Sequence, residues 1–163
     1  MAKKTDVLII GGGPAGIVSA ITVKRYYPDK NVLVMRNVVN GCIPCGIPYM
    51  FWSLKNPDDN KLGLDALKKN NIEAVIDEAV RIDRSTKKVI AKSGEEYEYE
   101  KLVLAPGSVP IKPSIAGIDK EGVYPIHKDM EYLKAAVAKL KQAKNVLVSV
   151  SYTHLTLPTN REV

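Results

Sequence analysis

Two short stretches hold residue types at spacings that can do chemistry. The nine residues GCIPCGIPY at 41–49 contain both cysteines of the chain, Cys42 and Cys45. A C-x-x-C pair can clip a metal, close a disulfide, or carry electrons through a reactive thiolate. Zinc is the weakest of these readings: a structural site wants four ligands, and there is no second C-x-x-C or nearby histidine. His127 precedes a helical segment and reads as a surface or capping residue, and His154 is near the C-terminal end. The second stretch, GGGPAG at 11–16, gives Gly11, Gly13 and Gly16 the spacing G-x-G-x-x-G, directly after an apolar run. In that context Gly11 permits a tight turn, Gly13 lets the backbone approach a pyrophosphate, and Gly16 lets a helix pack closely on a strand. The helix, entered through Pro14 and Ala15, offers free N–H groups to the phosphates.

The surrounding pattern supplies the elements that must hold these loops. Within residues 6–10 (DVLII) a continuous apolar run follows Asp6, as expected of a parallel strand covered on both faces. Ile17, Ala20, Ile21 and Lys24 recur at helical spacing up to the Tyr27-Pro28 break, and 32–35 (VLVM) is a second strand. This is a strand, glycine turn, helix, strand unit, whose right-handed crossover makes the strands parallel. Such a second strand usually ends in Asp or Glu, which binds a ribose 2′-OH; here it ends in Arg36, which can pair with a 2′-phosphate or lie over adenine. Further on, the sequence predicts a short helix over 62–70 and a third buried strand over 72–76. Over 79–100 it predicts an antiparallel meander of AVRID, KKVIAK and EEYEYE, with Tyr97 and Tyr99 alternating against glutamates. Residues 102–105 return to a buried strand, and the Pro- and Gly-rich 106–125 read as an extended linker. Met130, Leu133, Val137 and Leu140 mark an amphipathic helix behind Asp129, and 146–148 begin another strand.

Composition excludes several classes. With 45% hydrophobic and 26% charged residues among 163, the chain is a globular one rather than disordered or collagen-like. The net charge of +6 comes from scattered lysines, which favours anionic ligands without forming a basic block. Nucleic-acid binding is not expected, because one Phe and one Trp leave little for base stacking and no recognition motif is present. The apolar run after MAKK is too short for a signal-peptide core or a membrane span. A reducing cytoplasm is therefore expected, where a C-x-x-C is more often catalytic or metal-binding than a permanent staple.

Three features in order carry a resemblance: the glycine loop, a cysteine beside Gly-Ile-Pro-Tyr after the second strand, and YEYEKLVLAPGSVP at 97–110. Together they resemble the N-terminal half of the pyridine nucleotide-disulfide oxidoreductases, within the single-cysteine branch of CoA-disulfide reductases, NADH oxidases and persulfide reductases. The resemblance spans 4–148. It implies that Gly11, Gly13, Pro14, Ala15 and Gly16 contact the FAD pyrophosphate, that the Val80 backbone meets the adenine, and that Ala105 and Gly107 form a second FAD motif. Pro106 stands where that motif usually has Thr, and Arg36 where the ribose-binding acid is expected. Cys45 matches the redox cysteine of the branch. Pro48 suits a first helical turn, which places Cys45 at a helix N-terminus where partial positive charge favours thiolate. The implied relay runs from NAD(P)H through the flavin to Cys45, which opens a small disulfide, persulfide or peroxide or serves an oxygen-reducing enzyme. Cys42 has no counterpart in that branch. It is expected either to resolve a Cys42–Cys45 disulfide or to be a bystander.

The expected fold is α/β: a Rossmann-like FAD-binding domain with a parallel sheet, a helix layer and an antiparallel three-stranded β-meander. The domain should occupy 1–112, followed over 113–148 by a linker and the start of an NAD(P)H-binding domain. The run VSYTHLTLPT resembles the translation of a transposase-type sequencing adaptor, so 149–163 are expected to be a non-native tail. The chain would then be an inactive fragment of a parent enzyme, which the resemblance implies is a homodimer; the cytoplasm, with no nucleic-acid or membrane partner, is what the composition and the short apolar run lead one to expect. Two other functions compete: an NADP-binding Rossmann module, suggested by Arg36, and a flavin electron carrier without thiol chemistry.

Overall fold

The computed structural model describes residues 2–149. Strand β1 (Lys3–Ile10) runs into the glycine turn, and α1 (Pro14–Tyr26) returns to β2 (Val32–Arg36). A two-residue strand β3 (Gly41–Cys42) leads through a 3-10 turn at Pro44–Gly46 into the single helical turn α2 (Ile47–Phe51). Then come β4 (Lys61–Leu62), α3 (Asp65–Lys69), β5 (Glu73–Ile76), β6 (Ala79–Asp83), β7 (Lys88–Ala91), β8 (Glu96–Leu104) and α4 (Met130–Leu140). One sheet has the order β5-β2-β1-β8-β7-β6, and β3 pairs with β4 in a small second sheet. The first four strands are parallel, while β7 and β6 continue antiparallel as the meander.

The alternation of side chains along the central strands sorts the core into two layers. Val7, Ile9, Val32 and Val34 face Ile17 and Ala20 of α1, Leu67 of α3, and Ile72. Leu8, Leu33 and Met35 point the other way, onto Val89, Ala91, Tyr97 and Tyr99 of the meander. Both faces of the parallel strands are thus covered, which is why VLII after Asp6 and VLVM are apolar without alternation. Each such fully buried aliphatic side chain contributes about 1.5–3 kcal/mol. A third cluster joins Cys42, Ile47 and Met50 to Met130, Leu133 and Val137, and so seats α4 on the cysteine segment.

Four local expectations change. The tyrosine-rich strand and the 102–105 strand are one element, because β8 pairs antiparallel with β7 over its first residues and parallel with β1 along its length. Leu62 is not helical; it pairs with Gly41 in the small sheet, and the helix begins at Asp65. The strand expected to be buried at 72–76 is the half-exposed edge β5, paired only with β2. Residues 146–148 carry no strand pairing, since no neighbouring edge among the described residues offers hydrogen bonds, and Leu147 is 94% exposed. The helix after Asp129 forms as expected: the Asp129 carboxylate caps it, accepting from the Tyr132 N–H at 2.7 Å. The tail, apart from Ser149, lies outside the described residues.

Candidate nucleotide and thiol site

The carboxyl ends of the parallel strands meet at the glycine loop. The Gly11 N–H donates to the Met35 carbonyl at 2.8 Å, and the Ala105 N–H donates to the Ile10 carbonyl at 2.8 Å. Gly11 therefore sits clasped between the ends of β2 and β8, at φ +112°, where L side chains are strained. A Cβ there would lie 1.9 Å from the Ala105 carbonyl oxygen, and one at Gly16 would lie 1.8 Å from the Gly11 oxygen. Gly13 is different: nothing lies within 4 Å of a Cβ built on it. Its open side is the face from which a ligand could approach the backbone. Helix α1 starts there with Pro14 in its first turn, no capping side chain and no acid in that turn. Its first N–H groups and its positive dipole end remain free for an anion. This crevice at the carboxyl edge, with β1 flanked by β2 on one side and β8 on the other, is where open α/β sheets bind ligands.

Arg36 enters the same crevice from the end of β2. It is 4% exposed, and its terminal nitrogens donate to the Leu62 carbonyl at 3.3 and 3.4 Å. Its Nε has no partner. Burial pushes the guanidinium below its usual pKa range. Gly107, at φ +76°, is exposed and open, and Ala105 is half-buried beside it. Val80 is the extra residue in the β6–β7 ladder, between the pairs Ala79–Ala91 and Arg81–Ile90. Such a bulge takes a backbone out of the ladder. The residues expected around a pyrophosphate are thus gathered at one edge, whereas Val80 stands apart on the outer strand of the meander.

The two cysteines are separated by environment. Cys45 lies exposed in the 3-10 turn ahead of α2, with Pro48 in the first turn of that helix. Cys42 is 5% exposed, packed under α4, and burial pushes its thiol up. Both thiols are free. Among the described residues, no group of three or more His, Cys, Asp or Glu could hold a metal ion. His127 packs edge-on against Tyr132, with ring centroids 5.0 Å apart.

Four residues that pattern reading passes over hold this loop. Asn60, 3% exposed, accepts from the Ile43 N–H through its backbone oxygen at 3.1 Å and donates from Nδ2 to the Ile43 carbonyl at 3.0 Å. It clamps the middle of the C-x-x-C. Gly46 must be glycine because a Cβ would lie 1.8 Å from Asn60 Oδ1. Gly12 and Gly41 make room for Arg36, each placing a built Cβ 2.6 Å from it. Only the Asn56 capping box before Asn60 leaves a trace in the sequence, as Asn-Pro-Asp-Asp.

The Pyridine nucleotide-disulphide oxidoreductase family matches residues 5–149. An NAD(P)H coenzyme A polysulfide/persulfide reductase of Pyrococcus horikoshii is 32% identical over 156 aligned residues, covering 91% of this chain and 35% of that protein. An NADH oxidase of Methanocaldococcus jannaschii is 34% identical over 129 residues, covering 73% of this chain and 29% of that protein. The structure of an NAD-dependent persulfide reductase from A. fulgidus superposes with a TM-score of 0.68 at 28% identity, covering 82% of this chain and 27% of that one. The chain spans about a third of the length of these relatives. Glycine loop, cysteine turn and sheet order agree with that match along nearly the whole described chain, and the chain belongs to the pyridine nucleotide-disulphide oxidoreductase family.

Proposed function

We infer that this chain is the FAD-holding portion of an NAD(P)H-dependent oxidoreductase in which Cys45 is the redox-active side chain. The observation that carries this reading is the open Gly13 backbone at an uncapped helix N-terminus, with an exposed cysteine turn attached to the same sheet edge through Arg36 and Leu62. These residues fit the pyrophosphate of a dinucleotide: Gly11 and Gly16 close the turn, and Gly13, Pro14 and Ala15 leave the phosphate side open. Ala105 and Gly107 would line the far side, and the bulged Val80 backbone would meet the adenine. Bound FAD would supply two-electron transfer between nicotinamide and sulfur. The protein's part is to hold Cys45 in a solvent-facing turn, fixed by Asn60, where a small disulfide or persulfide can reach the sulfur. Oxygen is the other acceptor class consistent with the relatives' names.

Cys42 fits a packing role better than a resolving one, because its burial and raised pKa both withhold the thiolate that would attack a mixed disulfide. In the full-length protein, Cys45→Ser is expected to abolish NAD(P)H-linked reduction of small disulfides or persulfides, while Cys42→Ala retains it. Unchanged turnover in Cys45→Ser would exclude the thiol relay. One observation favours a second reading: the buried cation Arg36 also suits an NADP-binding module, which requires NADPH to bind much more tightly than FAD.

A further inference from the structure

Arg36 ends β2 as a buried cation that nothing in the described structure neutralises. Among the described residues its only hydrogen-bond acceptor is the neutral carbonyl of Leu62, its Nε has no partner, and no carboxylate forms an ion pair with it. Its slot is built for it. A Cβ on Gly12 would lie 2.6 Å from Arg36 Cδ and 2.9 Å from Nε, and one on Gly41 would lie 2.6 Å from Nη2. Burying a guanidinium with an orphan donor is costly, and an apolar side chain would fill the same space at less cost. The unpartnered Nε lies beside Gly12, inside the glycine loop, one residue from the open Gly13 and the uncapped start of α1. Two positive features, a helix N-terminus and a cation, share one crevice that has no acid in the first helical turn. An anion there would satisfy both.

We propose that Arg36 reads phosphate: its uncompensated guanidinium charge beside the glycine loop attracts a phosphate oxyanion on the adenylate half of the bound dinucleotide, replacing the carboxylate-to-ribose contact usual at the end of this strand. This inference rests on the dinucleotide site proposed above and specifies what its second strand recognises, charge rather than ribose hydroxyls. Through the Leu62 carbonyl the same guanidinium ties the glycine loop to the hairpin that carries Cys42. Two groups share the required chemistry, the pyrophosphate found in every dinucleotide and a ribose 2′-phosphate.

The test is equilibrium binding of FAD, adenosine, ADP and 2′,5′-ADP to the 163-residue chain and to its Arg36→Gln and Arg36→Lys variants, with thermal melts as a folding control. Wild type is expected to prefer ADP to adenosine, by a margin that shrinks as salt is raised. Arg36→Gln should lose about ten- to a hundredfold in affinity for the ligands whose phosphate it meets, FAD and ADP for a pyrophosphate or 2′,5′-ADP for a 2′-phosphate, with adenosine unchanged, and Arg36→Lys should recover part of that loss. If 2′,5′-ADP outbinds ADP and loses its lead in Arg36→Gln, the contact is to the 2′-phosphate; if ADP is equal or better, it is to the pyrophosphate. Folded Arg36→Gln that binds FAD, ADP and 2′,5′-ADP as wild type does overturns the proposal and leaves the flavin site standing. A wild type that binds no FAD removes the flavin reading, and if it also shows no preference for ADP over adenosine, Arg36 loses its role too. Should Arg36→Gln fail to fold, a salt-independent wild type with equal affinity for ADP and adenosine overturns it.

Discussion

Gly11 and Gly13 lie two residues apart, yet the fold asks opposite things of them. Gly11→Ala combines a positive φ with a contact far inside van der Waals range, and it is expected to destabilise the chain by more than about 2 kcal/mol, measured by denaturant unfolding. Gly13→Ala meets open space, so it should fold with little change and show its effect in nucleotide binding instead. If both variants unfold alike, Gly13 is structural. The thiols make a second contrast: a thiol reagent should modify exposed Cys45 rapidly and buried Cys42 only after unfolding, as peptide mapping would report. The glycine turn after β1 and the place of Cys45 just ahead of a helical turn were legible because both are local patterns written at fixed intervals. The slot that Gly12 and Gly41 make for Arg36 was not, since it joins residues brought together only when β2, the glycine loop and the small hairpin pack.

At the scale of elements, the meander and α4 decide how the site is held. Tyr97, buried against the sheet and bonded to Glu95, has its pKa raised from the usual 10.0 to about 12, first by burial and then by that bond. It keeps its proton in the fold at pH values where the unfolded chain has lost it, so stability is full below about pH 10 and falls as pH rises toward 12. Tyr97→Phe should flatten that alkaline decline in a stability-versus-pH series; an identical decline would assign it to other groups. Helix α4 places Leu133, fully buried, in the same cluster as Cys42. Leu133→Ala should cost about 2–5 kcal/mol and speed the labelling of Cys42. The amphipathic period and the Asp129 cap made α4 readable in advance. That it would land on the cysteine segment was not readable, because no local pattern records which surface an apolar stripe will cover. Leu62 was misplaced for a related reason: it fits the helical period of Leu64 and Leu67, but pairing with Gly41 outweighs that period at the boundary.

At the scale of the molecule, a parallel sheet covered by helices on one face and a meander on the other was foreseeable from two unalternating apolar strands and a run of short alternating ones. The order of the strands was less so, because β8 serves at once as parallel neighbour of β1 and antiparallel neighbour of β7. Residues 113–149 contribute one packed helix and then an exposed apolar stretch, Val146 to Val148, with 55–94% of each side chain open. Extending the chain to the full length of its relatives is expected to cover that stretch, and hydrogen exchange there should slow relative to the 163-residue chain. The central claim, that the glycine crevice holds FAD, is tested most directly by titrating the purified chain with FAD and with NADPH while following flavin fluorescence and absorbance. Saturable FAD binding, much tighter than that of NADPH and retaining yellow colour through gel filtration, is the expected result. A chain that stays colourless with FAD, or that binds NADPH the more tightly, would contradict it.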